Sequence, residues 1–133
     1  MTKKINTILL IDDDLTINYL HNRLIEKSAI AEHIIVAKNG IEGITAFLEL
    51  NERLHKTEPV VLFLDLNMPI MNGWEFLEKL SKAQNEITLQ YKIFILSSTI
   101  NPDDKKKAKS HALVSGFLSK PLTKEHLEHL KMA

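Results

Sequence analysis

The sequence predicts an α/β fold: a doubly wound, five-stranded parallel sheet with helices on both faces, assembled from five βα units in series. Three observations carry that prediction. Five short runs rich in branched residues recur along the 133 residues, each run is apolar almost throughout rather than alternating, and a helical pattern follows each one. A strand covered on both faces has no solvent side, so its residues need not alternate between polar and apolar. Such strands joined by helices imply right-handed crossovers within one open sheet.

The first run, "ILLI" (8–11), leads to a helix opened by Asp14 as N-cap, with Ile17, Leu20, Leu24 and Ile25 on its apolar face. The second, "IIVA" (34–37), precedes Asn39-Gly40 and a helix striped by Ile41, Ile44, Phe47 and Leu48. The third, "VVLFL" (60–64), ends at Asp65 and is followed by a helix marked by Trp74, Leu77 and Leu80. After the fourth run, "KIFIL" (92–96), the stretch 102–112 opens with Pro and two acids, which suit a helix N-terminus. Its apolar stripe is little more than Ala108 and Ala112, so a loosely held surface helix is expected. The fifth run, "GFLS" (116–119), precedes a last helix from about Thr123 that carries Leu127 and Leu130.

Composition narrows the function classes. Apolar residues make up 44% and charged residues 26%, ordinary values for a globular chain. Seventeen basic residues balance seventeen acidic ones, which argues against a nucleic-acid partner, because phosphate backbones call for clustered excess cations. The absence of cysteine removes disulfides, thiolate nucleophiles and Cys-based zinc sites. The apolar stretch near the N-terminus is too short for a signal peptide, and no run approaches the ~18 residues of a membrane span. The expectation is a single cytoplasmic domain over residues 1–133, with no membrane partner and no second domain. The stretches 51–59 and 81–91 are longer than the fold requires.

In doubly wound sheets ligands bind at the carboxyl ends of the strands. Here those ends carry Asp12-Asp13-Asp14, Asp65, Ser97-Ser98-Thr99 and Ser119-Lys120-Pro121. One sheet edge would therefore collect carboxylates, a hydroxyl and an ammonium. Two carboxylates ~4 Å apart repel by roughly 4 kcal/mol at an effective dielectric near 20. Such a cluster persists with a bound cation or with raised pKa values. Oxygen donors without His or Cys favour Mg²⁺, with Mn²⁺ as the alternative, over Zn²⁺. Mg²⁺ is completed by phosphate oxygens and water, which suggests phosphoryl transfer.

Four segments, "LLIDDD" (9–14), "DLNMPIMNG" (65–73), "FILSS" (94–98) and "GFLSKP" (116–121), come in an order that resembles the receiver domains of two-component response regulators. The likeness is to the stand-alone, CheY-like type, whose fold is flavodoxin-like, and it spans nearly the whole chain. It implies that Asp65 is the phosphorylated residue, taking a phosphoryl group from the phosphohistidine of a sensor histidine kinase or histidine phosphotransfer protein. It implies that Asp12 and Asp13 hold Mg²⁺, Asp13 directly and Asp12 largely through water, and that Asn67 adds its backbone carbonyl. Ser97 would bond one phosphoryl oxygen and Lys120 another, and the Lys120-Pro121 peptide would be cis. Output would pass to an unknown downstream protein or along a phosphorelay.

The same resemblance marks departures. Phe117 stands where many members have Tyr, so it has no hydroxyl to anchor either of its positions. Ser97 replaces the commoner Thr, and Asn67 and Thr99 occupy positions that tune access of water to the phosphoryl group.

Other residues have plainer readings. Asp65 alone is also a turn-starting residue. Trp74 and Phe76 suit core or partner surface, Met68 and Met71 loop packing, and Lys105-Lys106-Lys107 a solvated face that an acidic partner could use. His126 and His129 lie three apart on the last helix, but no third ligand accompanies them. Two rival functions remain. A degenerate receiver would be a docking module, yet Asp12, Asp13, Asp65 and Lys120 are all present. A phosphatase with an aspartate nucleophile needs a second acid two residues on, where this chain has Asn67. The expectation is a signalling protein, not an enzyme.

Overall fold

Five parallel strands form one sheet in the order β2-β1-β3-β4-β5. The computed structural model describes residues 5–98 and 101–130. Strand β1 (Ile5–Ile11) pairs with β2 (Ala31–Ala37) on one side and with β3 (Val60–Asp65) on the other. Strand β4 (Tyr91–Ser97) lies between β3 and β5 (Val114–Ser119). The connections are α1 (Leu15–Ser28), α2 (Gly40–Arg53), α3 (Gly73–Lys82), α4 (Pro102–Ser110) and α5 (Lys124–Glu128). All five predicted βα units are present.

Alternate residues of each central strand enter two separate cores. Leu9, Ile11, Leu62, Leu64, Ile93 and Ile95 pack with Phe47 of α2, Phe76 and Leu77 of α3, and Ala108 of α4. Ile8, Leu10, Val61 and Phe63 pack on the opposite face with Ile25 of α1 and Leu127 of α5. Every residue of β3 is buried, which accounts for its unbroken apolar run. Burying each such Leu, Ile or Phe contributes about 1.5–3 kcal/mol.

Coverage on both faces fails at the sheet margins. Strand β2 exposes Glu32, His33 and Val36, and β5 exposes Ser115 and Ser119, since an outer strand has a neighbour on one side only. The predicted face of α1 is corrected: Leu20 is 51% exposed, and the buried residues are Asn18, His21 and Ile25. Both polar side chains bond main-chain groups at the sheet edge, and those bonds outweigh hydropathy in orienting the helix. Ile41 is likewise exposed on the first turn of α2, where Gly43, Phe47 and Leu50 face inward.

Helix α4 stops at Ser110, leaving Ala112 outside and exposed, and buries only Ala108. Lys107 is more than a solvated charge, because its ammonium stands 4.3 Å above the Trp74 ring of α3. Trp74 is half-buried and Phe76 fully buried.

The long stretches 51–59 and 81–91 have a structural account. Asn51 at the end of α2 donates through Nδ2 to the Glu86 carbonyl (2.8 Å) and accepts from the Thr88 and Leu89 amides (2.9 and 3.2 Å). One side chain thereby ties the segment entering β4 to the end of α2. Among the described residues no helix is long and apolar enough to cross a membrane.

Candidate functional site

The chain leaves β1 outward to β2 and returns across it to β3, so a crevice opens above the carboxyl ends of β1 and β3. Asp12 follows β1 directly, and its amide donates to the Ala37 carbonyl at 3.0 Å. Its carboxylate accepts from the Asp14 amide (2.9 Å), which curls the chain into α1. Asp14 caps that helix by accepting from the Ile17 amide (3.1 Å) and faces solvent, as expected of a cap. Asp65 ends β3 and is 7% exposed.

Asp12, Asp13 and Asp65 each present a carboxylate oxygen within 4.8 Å of the others. Asp12 and Asp65 are buried and Asp13 is exposed, so the cluster has a closed floor and an open mouth. Lys120 reaches in from the end of β5, its Nζ 2.5 Å from Asp12 and 3.3 Å from Asp65. Burial lifts the Asp65 pKa above its ordinary value and the nearby Asp12 charge adds to this, while Lys120 and the Asn67 main-chain N–H pull the other way. Burial alone would lower the Lys120 pKa, but its contacts with Asp12 and Asp65 outweigh it and hold the ammonium above its usual range.

Three carboxylates against one ammonium leave excess negative charge at an all-oxygen site. That donor set suits a hard divalent cation such as Mg²⁺. Among the described residues no other cluster of His, Cys, Asp and Glu has metal-ligand proximity. His126 is occupied otherwise: its Nδ1 accepts from the Thr123 amide (3.1 Å) and helps cap α5. His129 Nδ1 lies 2.7 Å from the Glu125 carbonyl.

Ser97 ends β4, is 3% exposed, and accepts at its carbonyl from the Lys120 amide (2.8 Å). Leu96 stands beside Asp65 in the β3–β4 register, so Ser97 is one step beyond the aspartate. The Lys120-Pro121 peptide is cis. Phe117 is half-buried, packs toward the α2–α4 core and lines a groove of about 280 Å³ with Lys105, Ala108 and Lys109. Asn67 is exposed in the loop after Asp65. Thr99 lies outside the described residues.

Three features of the site escaped the sequence reading. Gly73 opens α3, and a Cβ there would stand 2.7 Å from the Asp65 carbonyl oxygen and 2.8 Å from Leu66 Cα. Only glycine permits this approach, which Asn72 and Glu75 secure through a capping box. Ile70 has φ 73° while the Met71 amide donates to the Pro69 carbonyl (2.8 Å), a strained γ-turn centred on a β-branched residue. The third is the pair Asn18 and His21, whose spacing with Ile25 (i, i+3, i+7) was the available signal.

A family model described as response regulator receiver domain matches residues 8–130. The nitrate/nitrite response regulator NarL of Escherichia coli is 36% identical over 121 residues, covering 91% of this chain and 50% of that protein. A protein-glutamate methylesterase/protein-glutamine glutaminase of Burkholderia thailandensis is 36% identical over 75 residues, covering 56% of this chain and 19% of that protein. The chain thus spans half or less of the length of these relatives. Among solved structures, a two-component response regulator from Cytophaga hutchinsonii shares 31% identity with TM-score 0.79, covering 94% of this chain and 92% of that one. The receiver domain of Saccharomyces cerevisiae Ssk1, crystallised with the histidine phosphotransfer protein Ypd1, has the same fold at 20% identity and TM-score 0.75, covering 96% of this chain and 87% of that one.

Proposed function

Because the chain belongs to the response regulator receiver domain family, we propose that it accepts a phosphoryl group on Asp65 and thereby switches a protein-binding surface. The observation that carries the reading is the convergence of Asp12, Asp13, Asp65 and Lys120 at one sheet edge. A docking module without chemistry would have no need to hold three carboxylates together against their repulsion. A phosphatase would need a carboxyl two residues beyond Asp65, and Asn67 stands there.

The donor is a phosphohistidine on a sensor kinase or a phosphotransfer protein, a partner class supported by the Ypd1 complex of the Ssk1 receiver. An Asp65 carboxylate oxygen forms a bond to phosphorus as the P–N bond breaks, and the departing imidazole keeps the bonding pair and takes up a proton. Burial strips water from Asp65, and its raised pKa makes it more basic than an ordinary aspartate. Mg²⁺, held by Asp12, Asp13, Asp65 and the Asn67 carbonyl, would neutralise charge on the transferring oxygens. Lys120 already sits between Asp12 and Asp65 and would pair with one phosphoryl oxygen.

The Ser97 hydroxyl would bond another. Its shift would free space for Phe117 to turn inward from the groove beside α4. Helix α4, whose one buried residue is Ala108, is lightly tied to the core and is the expected site of the response. The downstream partner is a protein, and the setting is the cytoplasm.

Acetyl phosphate with Mg²⁺ tests the reading. It should add one phosphoryl group to the protein and none to Asp65→Asn. Modification that persists in the variant would overturn the assignment.

A further inference from the structure

Helix α1 buries two polar side chains, and both reach main-chain groups of the acidic site. Asn18 Nδ2 donates to the Asp12 carbonyl at 2.8 Å, in a buried bond. His21, 2% exposed, accepts at Nε2 from the Leu122 amide at 3.0 Å, also buried and spanning 101 residues of sequence. Leu122 lies two residues after Lys120, across the cis peptide to Pro121. Other hydrogen bonds act on the same short stretch. The Lys120 amide donates to the Ser97 carbonyl (2.8 Å), and Thr123 caps α5 by accepting from the His126 amide (3.1 Å).

We propose that His21 is a positioning residue for the phosphoryl-accepting reaction: a neutral imidazole on α1 that clamps the Leu122 amide and so sets the Lys120 ammonium between Asp12 and Asp65. The inference rests on the proposed function for its role in the reaction, and on geometry alone for the clamp itself. An acceptor at Nε2 requires the ring proton on Nδ1, so the clamp exists only in the uncharged tautomer. Burial lowers the His21 pKa from 6.5, and Lys120 acts in the same direction against the raising influence of Asp12 and Asp14. The neutral ring is thus the favoured form at physiological pH.

Without the clamp, the β5–α5 connection would keep its bonds at Ser97 and at the α5 cap and the packing of the Leu122 side chain, but the Leu122 amide would have lost the bond that fixes the main chain between them. Lys120 would then lose its fixed direction while keeping its charge. Reaction geometry is sensitive to such displacements, since a misplacement of 1 Å from a remote substitution can cost about 100-fold in rate.

Three variants of the full chain test the proposal. His21→Leu removes the acceptor, His21→Asn keeps polarity but is too short to reach Leu122, and His21→Gln can place an oxygen where Nε2 stood. Uptake from acetyl phosphate with Mg²⁺ should slow by about tenfold in the Leu and Asn variants, and the Gln variant should retain most of the rate. In a Lys120→Ala background the Leu variant should cause no further slowing, because its effect passes through Lys120. Hydrogen exchange of the Leu122 amide, followed by NMR, reads the clamp without any phosphorylation. It should quicken in the Leu and Asn variants and stay slow in the Gln variant.

Equal slowing by His21→Leu with and without Lys120 would overturn the proposal, as would Leu122 amide exchange that ignores both disruptive variants. If the unaltered protein takes up no phosphoryl group, the proposed function fails, and Leu122 amide exchange still decides the clamp.

Discussion

The Lys120 ammonium stands closer to Asp12 than to Asp65, 2.5 Å against 3.3 Å, so one cation is shared unequally between two buried carboxylates. Asp13 adds a third charge at the mouth of the same site. The arrangement balances one positive charge against three negative ones, and that imbalance shapes the stability of the protein as well as its chemistry.

Lys120→Met leaves the carboxylates without their internal counter-charge. In chelator at neutral pH the variant should lose about 2 kcal/mol or more of unfolding free energy, because the Asp12 and Asp65 charges remain buried and unpaired. Millimolar Mg²⁺ should restore part of the loss by binding only the folded state. Urea unfolding with and without Mg²⁺ measures both effects; a variant as stable as the parent in chelator would show that the cluster is not under charge strain.

Asp65→Asn should stabilise the protein in chelator at neutral pH. The folded-state pKa of Asp65 is raised above 3.8, so its contribution to stability is fully present below 3.8 and is lost as pH rises through the folded value. Replacing it by a neutral amide removes that loss. The gain should be present at neutral pH, appear as a higher Tm, and vanish below pH 3.8. Melting curves across that pH range check it, and a variant less stable than the parent at pH 7 would contradict the sign.

Gly73→Ala pushes a methyl group against the Asp65 carbonyl and Leu66 Cα. Both contacts are backbone and cannot rotate away, so the start of α3 or the end of β3 must shift. The expected cost is about 1–3 kcal/mol, with slower phosphoryl uptake because Asp65 moves with its strand end. A variant with parental stability and rate would refute the tight approach.

Ile70→Asn should raise stability by about 1 kcal/mol, since a left-handed conformation costs a β-branched residue more than an asparagine. Ile70 is 76% exposed, so no burial is forfeited. Chemical denaturation measures the gain, and a loss would mean that the Ile70 side chain has a packing role.

Much of this molecule was legible in its residues. The runs ending at Asp12, Asp65 and Lys120 marked the strand ends, and a parallel α/β sheet gathers such ends at one edge by topology alone. What could not be read is how the helices rotate. Apolar spacing put Leu20 and Ile41 inside, but α1 is oriented by the bonds of Asn18 and His21 to groups distant in sequence, which hydropathy does not register. Asn51 was hidden for the same reason, its partners lying 35 to 38 residues on. Gly73 fell within a recognised segment, yet its contact with the Asp65 carbonyl becomes visible only when β3 and α3 are placed together.

The most direct test of the central claim is chemical mapping of the modified residue. Protein treated with acetyl phosphate and Mg²⁺ is reduced with borohydride, which converts an aspartyl phosphate to homoserine, and its peptides are sequenced by mass spectrometry. The account predicts homoserine at position 65 alone, and none when a chelator replaces Mg²⁺. Homoserine at another aspartate, or equal conversion in chelator, would contradict it.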